Sequence, residues 1–502
     1  MKMDNMHILA LTLLAVILTA GACQKTPSTE MPDNTPFSLS TETVEAGSEG
    51  GSSTITINSS EKVNIVGLCD WCKYVLSPWN EGKSELELTI SENRSTESRS
   101  FSFSIICKEE KKVLTVNQAG REIKPIEENG AVLFARSLGM GWNLGNQMDA
   151  IINGVSSETA WGNSKCTQET FNGLKEKGFG AVRIPVTWTG HIGEAPEYKV
   201  DEDWLARVKE IAGYAHKAGL KAIVNLHHDE GWLNILTLSK GGEQAEEIKA
   251  RYSALWAQIA EYLKDEEDWL MFEAFNELHD GSWGGGSNNN DGGAQYRAIN
   301  ELNQLFVNTV RKTGSKNADR YLGIPGYCTN PSLTVKYLEL PEDSATDRLM
   351  VSIHYYDPSG FALGQNPDYT EWGHTGARGK KDPYHNEQSV QECLGSVRER
   401  FIDNNIPVYF GETGCVNRSD ARSRAFQKYW MEYVYKCASD NGIAMFLWDN
   451  GAKGSGKESF GFIDHGNGSY INNSKEIIDV MLKALDRSDS SYTLETVYNS
   501  AP

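Results

Sequence analysis

Short apolar segments alternate with amphipathic helical patterns from about residue 126 to near the end of the chain. The apolar segments are nearly continuous, which is typical of strands that are buried on both faces. Eight such strand–helix units predict an α/β fold, a closed parallel (β/α)8 TIM barrel over residues 126–490. The predicted strands are 139–146, 181–186, 221–227, 270–277, 321–327, 349–356, 407–412 and 442–449.

The helical segments carry their apolar residues on one face. Trp204, Val208, Ile211 and Ala215 recur at helical spacing, and Gly219 ends the segment. Two further helices are predicted in the same way, over residues 248–263 and 474–487.

The length and charge of the chain limit its partners. The chain has 502 residues and a formal net charge of −20 at pH 7. The length predicts two or three domains. A nucleic acid partner is excluded, because an acidic chain repels phosphates and has no basic stretch to release their counterions. A neutral polysaccharide is compatible with this charge.

A different pattern occupies residues 37–120. Its short segments alternate apolar and polar residues and are separated by turns rich in Gly, Ser and Asn. The pattern predicts a small all-β sandwich of immunoglobulin-like type ahead of the barrel. The clearest strand segments are 54–57, 86–90, 101–105 and 113–116.

The N-terminus has the features of a secretion signal. An apolar stretch at residues 8–18 precedes small residues at 20–22, which predicts a signal peptide over residues 1–22. Lipidation of Cys23, which follows directly, would tether the chain to a membrane through the flexible segment 23–36. A plain signal peptide that is cut nearby is the alternative.

The other cysteines are scattered through the chain and define no disulfide framework. Cys69 and Cys72 have the spacing of a zinc ligand pair. No second pair or nearby His accompanies them, so a structural role is expected. We expect neither a metal nor another cofactor.

Two glutamates end apolar segments that lie far apart in the chain. Glu277 follows Asn276 in the segment FEAFNE, and Glu412 ends the segment YFGE. The carboxyl ends of barrel strands meet at one rim, where both carboxylates are therefore expected. Cleavage of a sugar acetal requires one protonated acid at the leaving oxygen and one ionised carboxylate at the anomeric carbon. The pair therefore favours a glycosidase.

Other polar and aromatic residues end the remaining strands, and each has a second interpretation. His227 and His228 could bind a metal, but consecutive residues of a strand point to opposite faces, which argues against one shared ion. Arg183 could pair with a structural carboxylate. Trp448 and Trp188 could stack on a pyranose ring or fill the core. The candidate rim residues are Asn146, Arg183, His227, His228, Asn276, Glu277, His354, Tyr356, Glu412 and Trp448, with Trp188, Trp232, Trp283 and Trp372 in the following loops.

Short motifs at most of the strand ends carry a family resemblance. They are GWNLGN at 141–146, WGN at 161–163, RIPVTW at 183–188, NLHHD at 225–229 and IHYY at 353–356. Together they resemble glycoside hydrolase family 5, and its subfamily 4 in particular, over residues 126–487. The resemblance implies hydrolysis of a β-glucan on a TIM barrel.

The same resemblance implies a role for each rim residue. Glu277 would be the general acid/base and Glu412 the nucleophile of a retaining double displacement. The supporting residues that it implies are Asn276 at the sugar 2-hydroxyl, Arg183 and Tyr356 beside Glu412, His354 beside Glu277, and His227, in preference to His228, at the substrate.

The predicted sandwich resembles the BACON domain of surface polysaccharide-degrading enzymes of gut bacteria, with NQAG at 117–120 at its end. We expect it to be a spacer rather than a glycan-binding domain. With the predicted anchor, the resemblance implies a lipid-anchored endo-β-1,4-glucanase at the outer-membrane cell surface, with xyloglucan as the first-choice substrate. We expect the protein to be a monomer. Mixed-linkage glucan, cellulose, a mannanase activity and a non-catalytic glycan-binding protein are the alternatives.

Overall fold

The computed structural model describes residues 36–283 and 290–502, which form two compact units. The first unit contains the described residues up to Glu92 together with Arg99–Ala119. The second contains Asn93–Ser98 and the described residues from Gly120 onward. The predicted signal peptide, the lipidation site Cys23 and nearly all of the predicted tether lie outside the described residues.

The first unit is built from two β-sheets. Its strands are β1 (Ser38–Leu39), β2 (Thr43–Ala46), β3 (Gly51–Asn58), β4 (Asn64–Val66), β5 (Cys72–Leu76), β6 (Lys83–Ile90), β7 (Arg99–Cys107) and β8 (Glu110–Gln118). The strand orders are β1-β3-β6-β5 and β2-β8-β7-β4, and only the β2–β8 pair of these described strands is parallel. Ile55 and Leu86 of one sheet share an apolar core with Phe103 and Leu114 of the other. The prediction of an N-terminal all-β unit is confirmed.

The second unit contains a closed barrel of eight parallel strands, which confirms the predicted (β/α)8 fold. Its strands are β9 (Met140–Asn143), β10 (Ile151–Ile152), β11 (Val155–Ser156), β12 (Phe179–Ile184), β13 (Lys221–Asn225), β14 (Leu270–Glu273), β15 (Leu322–Pro325), β16 (Leu349–Tyr355), β17 (Val408–Thr413) and β18 (Ala444–Leu447). The barrel closes in the order β9-β12-β13-β14-β15-β16-β17-β18, and β10 and β11 form a separate hairpin. Most predicted strands extend two to four residues too far, because the backbone leaves the ladder before the rim residues.

The first helix of the second unit precedes the first barrel strand, and the other helices of this unit lie between or after the barrel strands. The helices are α1 (Gly130–Ser137), α2 (Gln168–Glu176), α3 (Glu202–Lys217), α4 (Ile235–Lys240), α5 (Glu243–Leu263), α6 (Ala294–Lys312), α7 (Pro331–Tyr337), α8 (Ser359–Ala362), α9 (Glu387–Arg400), α10 (Ala421–Asn441), α11 (Ser474–Leu485) and α12 (Leu494–Tyr498). Short 3₁₀ turns lie at Ser315–Ala318, Tyr327–Thr329 and Ile402–Asn404. Helix α3 buries the predicted apolar face, and Gly219 follows it with a φ of 75°. Within the described part of the chain, no helix combines the length and apolar character that a membrane span requires.

The barrel interior is layered. Ala181, Ile223, Met271 and Met350 lie side by side in a small apolar core at the start of their strands. Side chains alternate between the two faces of a strand, so the residues two positions further on point into the same interior. These residues form the next layer, which is polar, and they carry the candidate site.

Candidate active site

The polar layer consists of Arg183, Asn225, Glu273 and Ser352, and all four side chains are fully buried. A charged side chain is stable at such depth only when it is paired and hydrogen-bonded. Arg183 supplies the positive charge and Glu273 the nearest negative charge, with Arg183 Nη2 lying 2.7 Å from Glu273 Oε1. The layer thus forms a charged floor beneath the rim.

Arg183 connects this floor to the rim. Its Nη1 donates to Glu412 Oε1 at 2.8 Å and to Asn143 Oδ1 at 3.0 Å. Its Nη2 donates to Asn276 Oδ1 at 2.7 Å. Burial lowers the pKa of the Arg183 guanidinium, but the carboxylates of Glu273 and Glu412 outweigh burial and raise this pKa. Arg183 is therefore a permanent cation that holds one oxygen of Glu412 and the amide oxygen of Asn276.

Glu412 lies one residue before the end of β17 and is held from several sides. Besides Arg183, Tyr356 donates its hydroxyl to Glu412 Oε2 at 3.1 Å. His354 Nδ1 lies 3.6 Å from Oε2, and His227 Nε2 lies 3.9 Å from Oε1. Burial, followed by the charge of Glu412, raises the pKa of Tyr356 far above its ordinary value, so its hydroxyl stays protonated and remains a donor. These contacts hold the Glu412 carboxylate in one orientation.

Glu277 lies opposite Glu412. His354 Nδ1 is 2.6 Å from Glu277 Oε1, and Thr329 donates its hydroxyl to the same oxygen at 3.4 Å. Side-chain atoms of Glu277, His354 and Glu412 all lie within 4.8 Å of one another. The Glu277 side chain keeps 19% of its surface exposed, against 8% for Glu412. The two carboxylates therefore meet at one solvent-accessible point.

Three opposing effects set the pKa of Glu277. Burial raises the pKa of this carboxyl, whereas the adjacent His354 ring and the cations His228 and Arg183 lower it. The net direction is downward, with His354 as the largest lowering influence. Protonation of Glu277 is thus sensitive to the state of its histidine neighbour.

The two consecutive histidines have opposite protonation preferences. Burial, followed by the neighbouring His228, Arg183 and His354, lowers the pKa of His227 well below its ordinary value. Burial also lowers the pKa of His228, but the carboxylates of Glu230, Asp149 and Glu412 raise it to about 9. At neutral pH His227 is a neutral ring and His228 is a cation.

One argument made from the sequence is wrong for these histidines. β13 ends at Asn225, so His227 and His228 lie in a loop and do not alternate across a strand. Their rings are 4.4 Å apart, and their nitrogens lie within 4.8 Å of a carboxylate oxygen of Asp149. This group and the group Glu277, His354 and Glu412 are the described clusters whose spacing could hold a metal ion. The oxygens of Asp149 already accept hydrogen bonds from the backbone of Asn146 and Gln147.

The tryptophans divide into two kinds. Trp448 follows β18 and lies parallel to the His227 ring, with 5.9 Å between ring centroids and 4° between planes. Trp188 and Trp372 are fully buried, which contradicts a sugar-stacking role for either. The Trp188 backbone N–H donates to Asp229, and its indole N–H donates to the Asn225 carbonyl. Trp188 therefore supports the loop after β12 from inside the protein.

Five residues of the hydrogen-bond network around Arg183 and Glu273 were not predicted as site residues. All five lie within strands, and they are Asn143, Asn225, Glu273, Ser352 and Tyr409. Asn143, rather than the predicted Asn146, accepts a hydrogen bond from Arg183 in the described chain. Asn146 adopts a φ of 54° in the turn after β9, where its carbonyl accepts from Asn163. Glu273 carried a usable signal, because it is a charged residue inside an otherwise apolar strand.

This geometry places the chain among enzymes that use two carboxylates, and comparison with known proteins agrees. A family model described as cellulase (glycosyl hydrolase family 5) matches residues 145–454, which is more than half of the chain. The chain belongs to glycoside hydrolase family 5, and it is a glycoside hydrolase.

Individual relatives cover most of the second unit or more. The chain is 35% identical to Endoglucanase A of Ruminococcus albus over 347 residues, which is 68% of this chain and 89% of that protein. It is 29% identical to the xyloglucan-specific endo-beta-1,4-glucanase of Bacteroides ovatus over 468 residues, 87% of this chain and 90% of that protein. A solved GH5-4 broad specificity endoglucanase from Bacteroides salanitronis is 46% identical, with a TM-score of 0.70, and the match covers 73% of this chain and 98% of that chain.

Proposed function

We propose that this protein is a retaining endo-β-1,4-glucanase of subfamily 4 that hydrolyses xyloglucan. The observation that carries this proposal is the separation of Glu277 and Glu412, whose carboxylate oxygens lie within 4.8 Å of each other. Retaining glycosidases place their two carboxyl groups about 5–5.5 Å apart, whereas inverting enzymes leave room for a water between them. The short separation supports double displacement.

Glu412 is the nucleophile in this proposal. Arg183 and Tyr356 hold its two oxygens, and the fixed cation favours the ionised form that attacks the anomeric carbon. Attack forms a covalent glycosyl-enzyme on Glu412, and the leaving oxygen takes the proton of Glu277. Glu277 then removes a proton from a water, which attacks the same carbon and releases Glu412.

Asn276 positions the sugar. Arg183 Nη2 holds the amide oxygen of Asn276, which leaves the amide NH₂ group to donate to the sugar 2-hydroxyl. A hydrogen bond at that hydroxyl strengthens toward the transition state. Trp448 and His227 supply flat surfaces at the end of β18 and β13, where an apolar pyranose face could stack.

The choice of xyloglucan rests on the extent of one similarity. The Bacteroides ovatus relative, named as xyloglucan-specific, matches 87% of this chain and so extends beyond the barrel. A second candidate, an endoglucanase acting on mixed-linkage β-glucan or cellulose, is favoured by the higher identity to the broad specificity endoglucanase. Room beside a branched glucose unit is the physical property that separates the two.

The cellular setting forms a further part of the proposal. The sequence features at residues 1–22 and at Cys23 support a lipid anchor on the outer-membrane cell surface. The all-β unit would be a BACON-like spacer, and the enzyme would act as a monomer. Radiolabelled palmitate incorporation into wild type and a Cys23→Ala variant tests the anchor. Equal palmitate incorporation by the wild type and Cys23→Ala would reject the proposed lipid anchor.

A product profile tests the proposed substrate. The enzyme is incubated with xyloglucan, mixed-linkage β-glucan, carboxymethyl cellulose and glucomannan, and released reducing ends and oligosaccharides are measured. We expect the highest kcat/KM on xyloglucan and no release by Glu412→Ala. Preference for an unbranched glucan would move the assignment to the second candidate, and equal rates on glucomannan would weaken the glucan assignment.

A further inference from the structure

Glu273 is a third carboxylate, which lies in the buried polar layer and is linked to Glu412 through Arg183. Its side chain is fully buried in β14. Oε1 accepts from Arg183 Nη2 at 2.7 Å and from Asn225 Nδ2 at 3.1 Å. Oε2 accepts from the Tyr409 hydroxyl at 2.6 Å and from the Ser352 hydroxyl at 3.3 Å. Arg183 Nε lies 3.2 Å from both oxygens.

We propose that Glu273 is a positioning residue that anchors the Arg183 guanidinium and shares its positive charge with the nucleophile. The inference rests on the proposed roles of Glu277 and Glu412. Glu273 contacts neither reacting carboxylate directly, so it acts through Arg183. No substrate atom needs to reach it.

The anchoring follows from the shape of the guanidinium. Its five N–H groups lie in one plane, so the Glu273 contacts through Nε and Nη2 fix the direction of Nη1. Nη1 then points at Glu412, while the second hydrogen of Nη2 points at Asn276. A rotation of this plane would displace both the nucleophile Glu412 and the Asn276 amide that positions the sugar.

The charge sharing follows from counting the charges around Arg183. One cation faces two carboxylates, Glu273 below and Glu412 above. Burial raises the pKa of Glu273, but Arg183, His354 and the Tyr409 hydroxyl lower this pKa by more. The net direction is downward, so the Glu273 carboxylate is ionised. Glu273 therefore neutralises part of the Arg183 charge. As a result, Glu412 is a stronger nucleophile than it would be if it were the only carboxylate paired with Arg183.

Other charged and titratable groups surround the same pair. Those facing Glu412 are Arg183 on β12, His227 and His228 after β13, Glu277 after β14, and His354 and Tyr356 at the end of β16. Those facing Glu273 are Arg183, Tyr409 on β17 and His354. All of these groups are retained in the variants below, except Tyr409 in Tyr409→Phe.

The first test is the pH dependence of kcat/KM in Glu273→Gln. The amide keeps only one acceptor oxygen, so it holds the Arg183 fork less firmly than the carboxylate does. It also carries no charge, so the Arg183 charge acts on Glu412 alone. We expect kcat/KM to fall by about 100-fold, the cost of a small misplacement in an active site, and the acid limb to move to lower pH. An unchanged acid limb, or a shift to higher pH, would overturn the proposal.

Asp343→Asn is the matched control. Asp343 pairs with Arg311 through two 2.7 Å contacts, and both side chains are at least nine-tenths buried. Asp343→Asn, like Glu273→Gln, removes a buried carboxylate that is paired with an arginine. We expect a lower thermal midpoint with the pH profile of wild type. A profile shifted like that of Glu273→Gln would mean that general destabilisation causes the effect.

Tyr409→Phe gives an independent reading, including the case in which Glu273→Gln does not fold. Without the Tyr409 hydroxyl, the negative charge of Glu273 acts more strongly on Arg183. Less of the Arg183 positive charge is then available to Glu412. We expect the acid limb to move to higher pH, opposite to Glu273→Gln. No shift in a folded Tyr409→Phe enzyme would also overturn the proposal. An inactive wild type would instead reject the proposed function itself.

Discussion

The Nδ1 atom of His354 lies 2.6 Å from the Oε1 atom of Glu277, at the point where Glu277 also approaches Glu412. Burial raises the pKa of Glu277, and His354 is the largest influence that lowers it. In His354→Asn this lowering influence is lost, so the pKa of Glu277 rises. The alkaline limb of kcat/KM follows loss of the Glu277 proton, and it should therefore move to higher pH.

The measurement is a pH profile of initial rates on a soluble oligosaccharide. His385→Asn, which removes a histidine paired with Asp382 at 2.9 Å in an exposed loop, is the control and should keep the wild-type profile. An alkaline limb of His354→Asn that moves to lower pH would contradict the assignment of Glu277 as the group that donates the proton.

Replacement of Arg183 by Lys should impair both stability and turnover. A lysine cannot make the fork of contacts to Glu273, Glu412 and Asn276, so at least one buried carboxylate loses its partner. Breaking a buried ion pair costs about 3–5 kcal/mol of unfolding free energy. We also expect kcat/KM to fall by about 100-fold through misplacement of the nucleophile.

Urea denaturation and steady-state kinetics measure the two effects of Arg183→Lys. Arg311→Lys, which alters the buried Arg311–Asp343 pair, should lose stability but keep kcat/KM. Wild-type kcat/KM in a folded Arg183→Lys enzyme would show that the guanidinium fork has no catalytic consequence.

The repeating pattern of apolar segments was enough to predict the barrel, because each strand is buried on both faces, by the surrounding helices on one side and by the barrel interior on the other. Strand ends were extended too far, since rim residues such as Glu277 remain next to apolar residues after the ladder has ended. The direction of a loop side chain is a tertiary property, so the sequence left open whether Trp188 stacks on a sugar or fills the core, and the structure shows that it is buried.

The polar layer of the site was harder to predict than its rim. Glu273 is 90 positions from its partner Arg183, and only closure of the barrel brings the two together. Within one strand, a buried charge is an unfavourable feature without a visible cause. The predicted rim residues Glu277, Glu412, Arg183, His354 and Tyr356 do meet, because parallel strands direct their carboxyl ends to one rim.

Trp448, at the rim, and Trp188, which is fully enclosed, should respond differently to substitution by Phe. Trp448 lies parallel to His227 at the rim, so Trp448→Phe should raise KM for cello- or xyloglucan oligosaccharides about 10-fold through weaker stacking. Trp188→Phe removes a buried indole and its hydrogen bond to Asn225, so it should lower the thermal midpoint and leave KM unchanged. A raised KM in Trp188→Phe alone would reverse the two roles.

Prolonged treatment with a strong chelator should leave activity unchanged. The two carboxylates Glu277 and Glu412 supply the proton transfer and the nucleophile, so hydrolysis requires no further Lewis acid. Rates before and after dialysis against the chelator are compared on the same substrate. Loss of activity that a divalent ion restores would assign a role to the cluster of Asp149, His227 and His228, whose spacing permits an ion.

The anomeric configuration of the first product tests the central claim most directly. Proton NMR of a cello- or xyloglucan oligosaccharide during the first minutes of hydrolysis reports this configuration before mutarotation. Because the Glu277 and Glu412 oxygens lie within 4.8 Å, we predict the β-anomer as the initial product, with net retention through a glycosyl-enzyme. Initial appearance of the α-anomer would contradict the account, because it would mean that water, rather than Glu412, attacks the sugar.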